Sequence, residues 1–190
     1  MDQGLLFPAS DRVFAAGFSY EPAFLSQQEE AALLARISRV PFAQAQYKQY
    51  LAQRRIVSYG GRYDFSARRL AAAEPIAPFL LPLRERAAAW MGCAAESLTH
   101  ALIGEYAPGV QLGWHRDVPD FELVVGISLL GACRIRFRPY PPRPRAKSVG
   151  LELAARSIYG LRSDARWHWQ HGVPPVPALR YSITFRSLRA

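Results

Sequence analysis

Cysteine is nearly absent from this sequence of 190 residues, which has only Cys93 and Cys133, 40 positions apart. No Cys-x-x-Cys pair and no close cysteine spacing occur, so a disulfide scaffold is excluded and a reducing compartment is expected. Long apolar runs are missing too. None approaches the roughly 20 residues that a membrane-spanning helix needs, and no basic stretch leads into an apolar one near the start. The expectation is a cytoplasmic protein without a membrane partner. Repeats, low-complexity blocks and strong association motifs are also lacking, which leaves a monomer as the default. Acidic residues are scarce, with 15 Asp and Glu against 24 Lys and Arg and a formal charge of +9. A positive field of that kind draws polyanions, nucleic acid first among them, although a merely Arg-rich surface has the same balance.

Half of the residues are apolar and 21% are charged, enough apolar surface to offset the entropy lost on folding. The length fits one domain. Ser26-Gln27-Gln28-Glu29 makes a capping box ahead of Ala32, Leu33, Leu34 and Ile37, which recur at helical spacing. A second helix is predicted from near Pro82 to Met91, with Leu83, Ala87 and Trp90 on one face and Gly92 as its stop. Between them, Tyr47 to Asp64 mixes cations with aromatics: Tyr47, Lys48, Tyr50, Arg54, Arg55, Tyr59, Arg62 and Tyr63. Such a segment suits phosphates and stacked bases, and it equally suits a solvated hairpin.

From Leu98 the period changes from 3.6 to 2. Eight strands are predicted, over 98–106, 110–117, 122–130, 133–138, 148–153, 157–161, 165–171 and 179–187. In Cys133-Arg134-Ile135-Arg136-Phe137-Arg138 the alternation puts three arginines on one face and three apolar groups on the other. The fold class is mainly β with N-terminal helices (α+β), a jelly roll behind two helices.

Chemistry concentrates at Trp114-His115-Arg116-Asp117. A two-residue step on a strand sends His115 and Asp117 to the same side, within reach of one metal ion if the chain bends at the strand end. A second histidine would complete two imidazoles and a carboxylate on one face of an octahedron. Four histidines exist: His100, His115, His168 and His171. His100 sits in an apolar strand. His168 and His171 point to opposite faces of an extended chain, and His171 is preferred because His171-Gly172 closes its predicted strand. At the C-terminal end, Arg180-Tyr181-Ser182-Ile183-Thr184-Phe185-Arg186 alternates polar and apolar. If the polar face turns outward, this is an ordinary amphipathic strand; if inward, Arg180 needs an anionic partner such as a small dicarboxylate.

Taken in order, Tyr106-Ala107-Pro108-Gly109, His115-Arg116-Asp117, His171 and Arg180 to Arg186 resemble the AlkB-like Fe(II)/2-oxoglutarate dioxygenases. The likeness covers about residues 98–188 closely and the preceding part loosely. It implies a double-stranded β-helix, with residues 98–190 as catalytic core and residues 1–97 as N-terminal helices and substrate lid. His115, Asp117 and His171 would be the iron ligands. Arg180, helped by Ser182, would grip the distal carboxylate of 2-oxoglutarate, Arg186 the carboxylate nearer the metal, and Tyr106 would hydrogen-bond the same cosubstrate.

The implied reaction couples decarboxylation of 2-oxoglutarate by O2 to hydroxylation of a substrate C–H bond. On an N-methyl group the product would collapse to formaldehyde and the bare nitrogen. The lid would be the segment around Arg54-Arg55-Ile56-Val57-Ser58-Tyr59-Gly60. There Arg54, Arg55 or Arg62 would meet phosphates, and Tyr59 or Tyr63 would stack a flipped or single-stranded methylated base of DNA or RNA. Two positions depart from the bacterial repair enzyme that names the family. Gly104 replaces an asparagine that contacts the cosubstrate, and Pro119 replaces an acidic group that reads the base edge. An oxygenase of proteins or small molecules, and a jelly roll that binds nucleic acid without turnover, are the rival readings.

Overall fold

The computed structural model describes residues 15–47, 50–64, 69–71, 73–143, 145 and 147–189. Lys48, and the side chains of Tyr47, Tyr50 and Arg62, fall outside the description. The N-terminal half contains β1 (Phe18–Glu21), α1 (Gln27–Ile37), β2 (Ala43–Tyr47), β3 (Tyr50–Tyr59), β4 (Arg62–Asp64), β5 (Arg69–Ala71) and α2 (Leu81–Met91). After these come β6 (Leu98–Tyr106), β7 (Leu112–His115), β8 (Phe121–Leu129), β9 (Cys133–Pro139), β10 (Val149–Leu153) and β11 (Ile158–Leu161). The chain closes with α3 (Ser163–Trp167), β12 (Trp169–Val173) and β13 (Arg180–Leu188).

Two antiparallel sheets face each other. The larger has the strand order β1-β11-β8-β13-β6-β3-β2, the smaller β10-β9-β12-β7, and β4 pairs with β5 separately. The eight strands from β6 onward interleave between the two sheets as a double-stranded β-helix does. Seven of the eight predicted strands agree with it to within about two residues at each end.

The exception is 165–171, where Ser163–Trp167 is helical and the strand begins only at Trp169. Asp164 in the first turn and Arg166 in the last suit the ends of a helix dipole. The helix is fixed by tertiary contacts. Buried Arg166 donates from Nε and Nη2 to the carbonyl of Phe121, at 3.1 and 2.6 Å, and from Nη2 to that of Val118 at 2.6 Å.

Alternation divides the apolar residues of the large sheet between two cores. Ala101, Ile103, Val125, Ile127, Ile183 and Phe185 point outward and are covered by Ile37 of α1 and by Leu83, Ala87, Ala88 and Met91 of α2. Tyr106, Val124, Tyr159 and Leu161 point inward and meet Cys133, Ile135, Phe137 and Val173 of the small sheet. In α1 the Ser26 hydroxyl accepts from the Glu29 N–H while the Glu29 carboxylate accepts from the Ser26 N–H, closing the expected capping box. Gly92, at φ +73°, stops α2. Trp90 turns partly outward and donates its Nε1 hydrogen to Glu21 at 2.7 Å, so Ala88 and Met91 complete the buried face instead.

Candidate metal centre

Strands β7 and β12 are neighbours, and their register sets His115 directly opposite His171. Directly opposed residues share a face, so both imidazoles enter the space between the sheets, with ring centroids 4.3 Å apart. β7 ends at His115, and the loop that follows brings Asp117 back beneath the rings. One ligand atom from each of His115, Asp117 and His171 lies within 4.8 Å of the others.

The hydrogen bonds around this trio leave one coordinating atom free on each of His115 and Asp117. His115 Nδ1 lies 3.0 Å from the Gly113 carbonyl, which fixes its proton there and leaves Nε2 with the lone pair. Asp117 Oδ1 accepts from Arg186 Nε at 2.6 Å. Its Oδ2 is buried without a hydrogen-bond partner among the described residues, 3.7 Å from His171 Nε2. Burial, opposed by the Asp117 charge, holds the His115 imidazole below its ordinary range. Burial and then the neighbouring His115 push His171 down to about 3. For Asp117, burial alone would raise the carboxyl, but Arg186 and then the two imidazoles outweigh it and keep it well below the usual carboxylate range.

The site thus presents two neutral imidazoles and an ionised carboxylate, the protonation states that metal binding requires. An orphaned carboxylate oxygen in a dry interior is costly, and a divalent cation among these three atoms relieves that cost. Two histidines and one carboxylate, with the remaining positions open, form the donor set of non-haem Fe(II) sites.

Across from the trio, β13 presents Arg180, Ser182, Thr184 and Arg186 on the inner face of the large sheet. This is the inward alternative for that strand. Arg180 is 2% exposed. Its Nε donates to Ser128 Oγ at 3.1 Å and its guanidinium stacks on the Tyr106 ring at 5.0 Å, while Nη1 has no partner among the described residues. A buried cation with an idle donor fits one end of an anionic ligand. Gly104 lies on the same face, and a Cβ there would come 3.1 Å from Ser182 Oγ and 3.2 Å from the Tyr106 ring. The missing asparagine therefore leaves Ser182 and Tyr106 close together.

Arg186 has protein partners at the metal end of the pocket. Its Nε is committed to Asp117, and Nη1 lies 3.3 Å from His100 Nδ1. The six residues separating it from Arg180 carry it to the metal end of the pocket. His100, read from sequence as an unremarkable strand residue, is buried there. Ser58 Oγ is 3.4 Å from its Nε2 and the Phe121 ring 4.8 Å from its own. Burial and then Arg186 lower it to about 3, so it stays neutral. Only its in-phase spacing with Gly104 and Tyr106 along β6 could have signalled this position. Ser128 gave no signal, because its role depends on β8 lying beside β13. His168 ends α3 with 72% of its side chain exposed and Nδ1 3.0 Å from Asp164, so it stands outside the trio. His171 is in the middle of β12, not at its close.

Among the described residues, those expected in the lid are distributed over both faces of β3 and over the β4–β5 pair. On β3, Arg55 pairs with Glu105 at 2.7 Å, and Tyr59 packs against the helix-side core. Both face away from the metal centre. Arg54 faces inward but donates to the Tyr106 hydroxyl at 3.3 Å. That puts it at the Arg180 end of the pocket. Tyr63 is half-buried on the separate β4–β5 pair, which also holds the backbone of Arg62.

Fold and donor set together define the class: a jelly-roll oxygenase of the non-haem iron type. The sequence profile of the 2OG-Fe(II) oxygenase superfamily matches residues 17–186, and the chain belongs to that superfamily, whose members use Fe(II), 2-oxoglutarate and O2. It is 28% identical over 176 residues to the "Alkylated DNA repair protein ALKBH8 homolog" of Arabidopsis thaliana, covering 80% of this chain and 49% of that protein. It is 27% identical over 167 residues to the "Probable RNA/DNA demethylase ALKBH6" of Danio rerio, covering 83% and 69%. An uncharacterised mimivirus protein, L905, is 33% identical over 100 residues, covering 46% and 47%. The chain thus spans about half the length of two of these three curated relatives. Among solved structures, OsALKBH1 superposes with a TM-score of 0.71 at 16% identity, covering 90% of this chain and 96% of that one. A Pseudomonas putida prolyl-4-hydroxylase gives 0.59 at 16%, covering 92% and 94%. At those identities the structural matches speak for the fold alone.

Proposed function

We propose that the protein is a 2-oxoglutarate-dependent oxidative demethylase of N-alkylated bases in single-stranded or flipped DNA or RNA. The observation that carries the oxygenase part is the pairing of two idle atoms in one dry pocket, Asp117 Oδ2 and Arg180 Nη1. One is suited to a cation and the other to a carboxylate. Support for a nucleic-acid substrate comes from the activities named for the Arabidopsis thaliana and Danio rerio relatives and from the charge of +9.

His115, Asp117 and His171 would hold the iron, and Arg180 would hold the far carboxylate of 2-oxoglutarate. With O2, that bound pair would supply the oxidising power to turn a substrate C–H into C–OH, with succinate and CO2 as the products of 2-oxoglutarate. The protein's own residues do the positioning. Arg186 keeps Asp117 ionised and fixes its rotamer, and the Gly113 carbonyl keeps the His115 proton on Nδ1. Ser128 and the Tyr106 ring lock the Arg180 guanidinium. Arg166 ties down the loop that follows Asp117. The inward apolar residues Val124 and Phe137 exclude water from the pocket.

The test is turnover with Fe(II), ascorbate and 2-oxoglutarate, with methylated or unmethylated single-stranded DNA or RNA. Succinate and formaldehyde that rise together only with methylated strands are expected. Succinate formed without any response to oligonucleotide would move the substrate to a protein or small molecule.

A further inference from the structure

The three arginines that alternate along β9 are not accounted for by the metal centre. Arg134, Arg136 and Arg138 point outward from the small sheet, on the side opposite His115 and His171. Successive outward residues on a strand are about 7 Å apart, so the three guanidinium groups form a ladder on the scale of phosphates along an extended nucleic-acid strand. Across the register, Arg136 has Gly150 on one side and Gly172 on the other, so no side chain stands up beside it. A Cβ at Gly150 would come 2.7 Å from Arg134 Nε, which shows Arg134 laid flat across that glycine.

Trp114 supplies an aromatic plate. The guanidinium of Arg136 is 5.1 Å and that of Arg138 4.6 Å from its ring, and Arg138 Nε is held by Gln170 at 2.8 Å. Next to it, Arg116 stacks on Tyr140 at 3.6 Å. Among the described residues, no carboxylate lies within ion-pair distance of Arg116, Arg134, Arg136 or Arg138. Glu152 is the one acidic residue opposite the ladder in register, across from Arg134. By contrast, Arg55, Arg86, Arg156 and Arg186 each have an acidic partner. Four cations, three of them stacked on aromatics and none in an ion pair among the described residues, form a surface for a polyanion.

We infer that the outer face of the small sheet is a docking track for the backbone of a single-stranded nucleic acid, leading by way of Arg138, Arg116 and Tyr140 to the metal centre. The inference rests on the nucleic-acid reading above and names the surface that serves it, since the β3 segment has its cations engaged elsewhere. Chain geometry joins track and site: Arg116 lies between His115 and Asp117, and Gln170, which holds Arg138, precedes His171. A strand on the track is thus anchored beside the two segments that bear the metal ligands. Phosphate contacts position a chain without reading its sequence.

The experiment compares the wild-type protein with the double variant Arg134→Gln/Arg138→Gln and with Arg134→Lys/Arg138→Lys. Binding of a labelled unmethylated oligothymidylate is followed across a salt series, and substrate-free succinate formation reports on the pocket. Each phosphate that the protein no longer neutralises should reduce the slope of log affinity against log salt by about 0.7. The glutamine variant is expected to bind more weakly, with a slope shallower by about 1.4, and to keep its substrate-free succinate rate. The lysine variant should restore most of the slope. Tight wild-type binding with an unchanged slope in the glutamine variant would overturn the track and leave the demethylase reading standing. No wild-type binding to any oligonucleotide would remove both. Competition by polyglutamate as strong as by an oligonucleotide of equal charge would overturn nucleic acid as the occupant.

Discussion

Asp117 divides its two oxygens between different partners, and the variants at this site should divide accordingly. Asp117→Ala removes the coordinating oxygen and should abolish metal binding and succinate formation while circular dichroism stays that of the folded protein. Arg186→Ala leaves all three donors in place but frees the carboxylate to swing. Metal affinity, measured with Mn(II) as a redox-silent probe, should fall about 10- to 100-fold, the usual cost of losing a partner that orients a ligand. Arg180→Ala should leave Mn(II) affinity near wild type and raise the 2-oxoglutarate requirement about tenfold or more, given ~1.5–3 kcal/mol for a hydrogen bond to a charged group.

The pH dependence follows from the imidazoles. A histidine must be neutral to bind a metal, and both ligand histidines titrate below the ordinary value of 6.5, His171 at about 3. Proton competition is therefore displaced to lower pH, and Mn(II) affinity should stay level from about pH 8 down to about pH 6. A steady loss on descending through 6.5 would mean that the rings are more solvated than their burial implies. His115 and the polar face of β13 were legible from strand phase, whereas Asp117 lies in the loop beyond β7 and His171 in a strand that starts later than predicted, so these two were reached through the order of the motifs that carries the family resemblance. The partners that orient them were not. Ser128, His100 and the Gly113 carbonyl reach the site only through pairing between strands distant in sequence.

At the level of elements, the strands from β6 onward were readable from alternation, and β12 shows where that signal fails. A five-residue helix, too short for a 3.6-residue period to emerge, precedes it directly and holds its place through Arg166 and two carbonyls over 40 residues away. The β3 segment shows the opposite failure. Its composition suggested a surface for nucleotides, but period-two geometry splits it, sending Arg54 and Ser58 inward and Arg55 and Tyr59 to the helix side. Packing between neighbouring strands can be tested at Gly126 on β8, where a Cβ would meet the Tyr159 ring at 2.3 Å. Gly126→Ala should cost about 1–3 kcal/mol in urea denaturation, as overpacked cores do. Combined with Tyr159→Leu it should cost less than the sum of the single changes, since the two side chains compete for one space. Strict additivity would show that the backbone shifts instead.

Across the whole molecule, the pocket is shared between two sheets. The small sheet and its β7 loop carry the trio, the large sheet carries both arginines, and Arg186 to Asp117 is a direct bond between the halves. Ligands that fill the pocket should therefore stabilise the whole fold. At about a hundred times the dissociation constant the gain is ~2.7 kcal/mol, and for a chain of this size that raises Tm by about 5–10 °C. Differential scanning fluorimetry with Mn(II) and then 2-oxoglutarate should show two increments, and Arg180→Ala should lose only the second.

The Arg186 bond also governs denticity. With Arg186 on Oδ1, Asp117 keeps Oδ2 as the oxygen turned toward the imidazoles. The protein would then hold a cation through one oxygen and two nitrogens, and a single-oxygen grip of that kind would leave more positions for the keto acid and dioxygen than a two-oxygen grip.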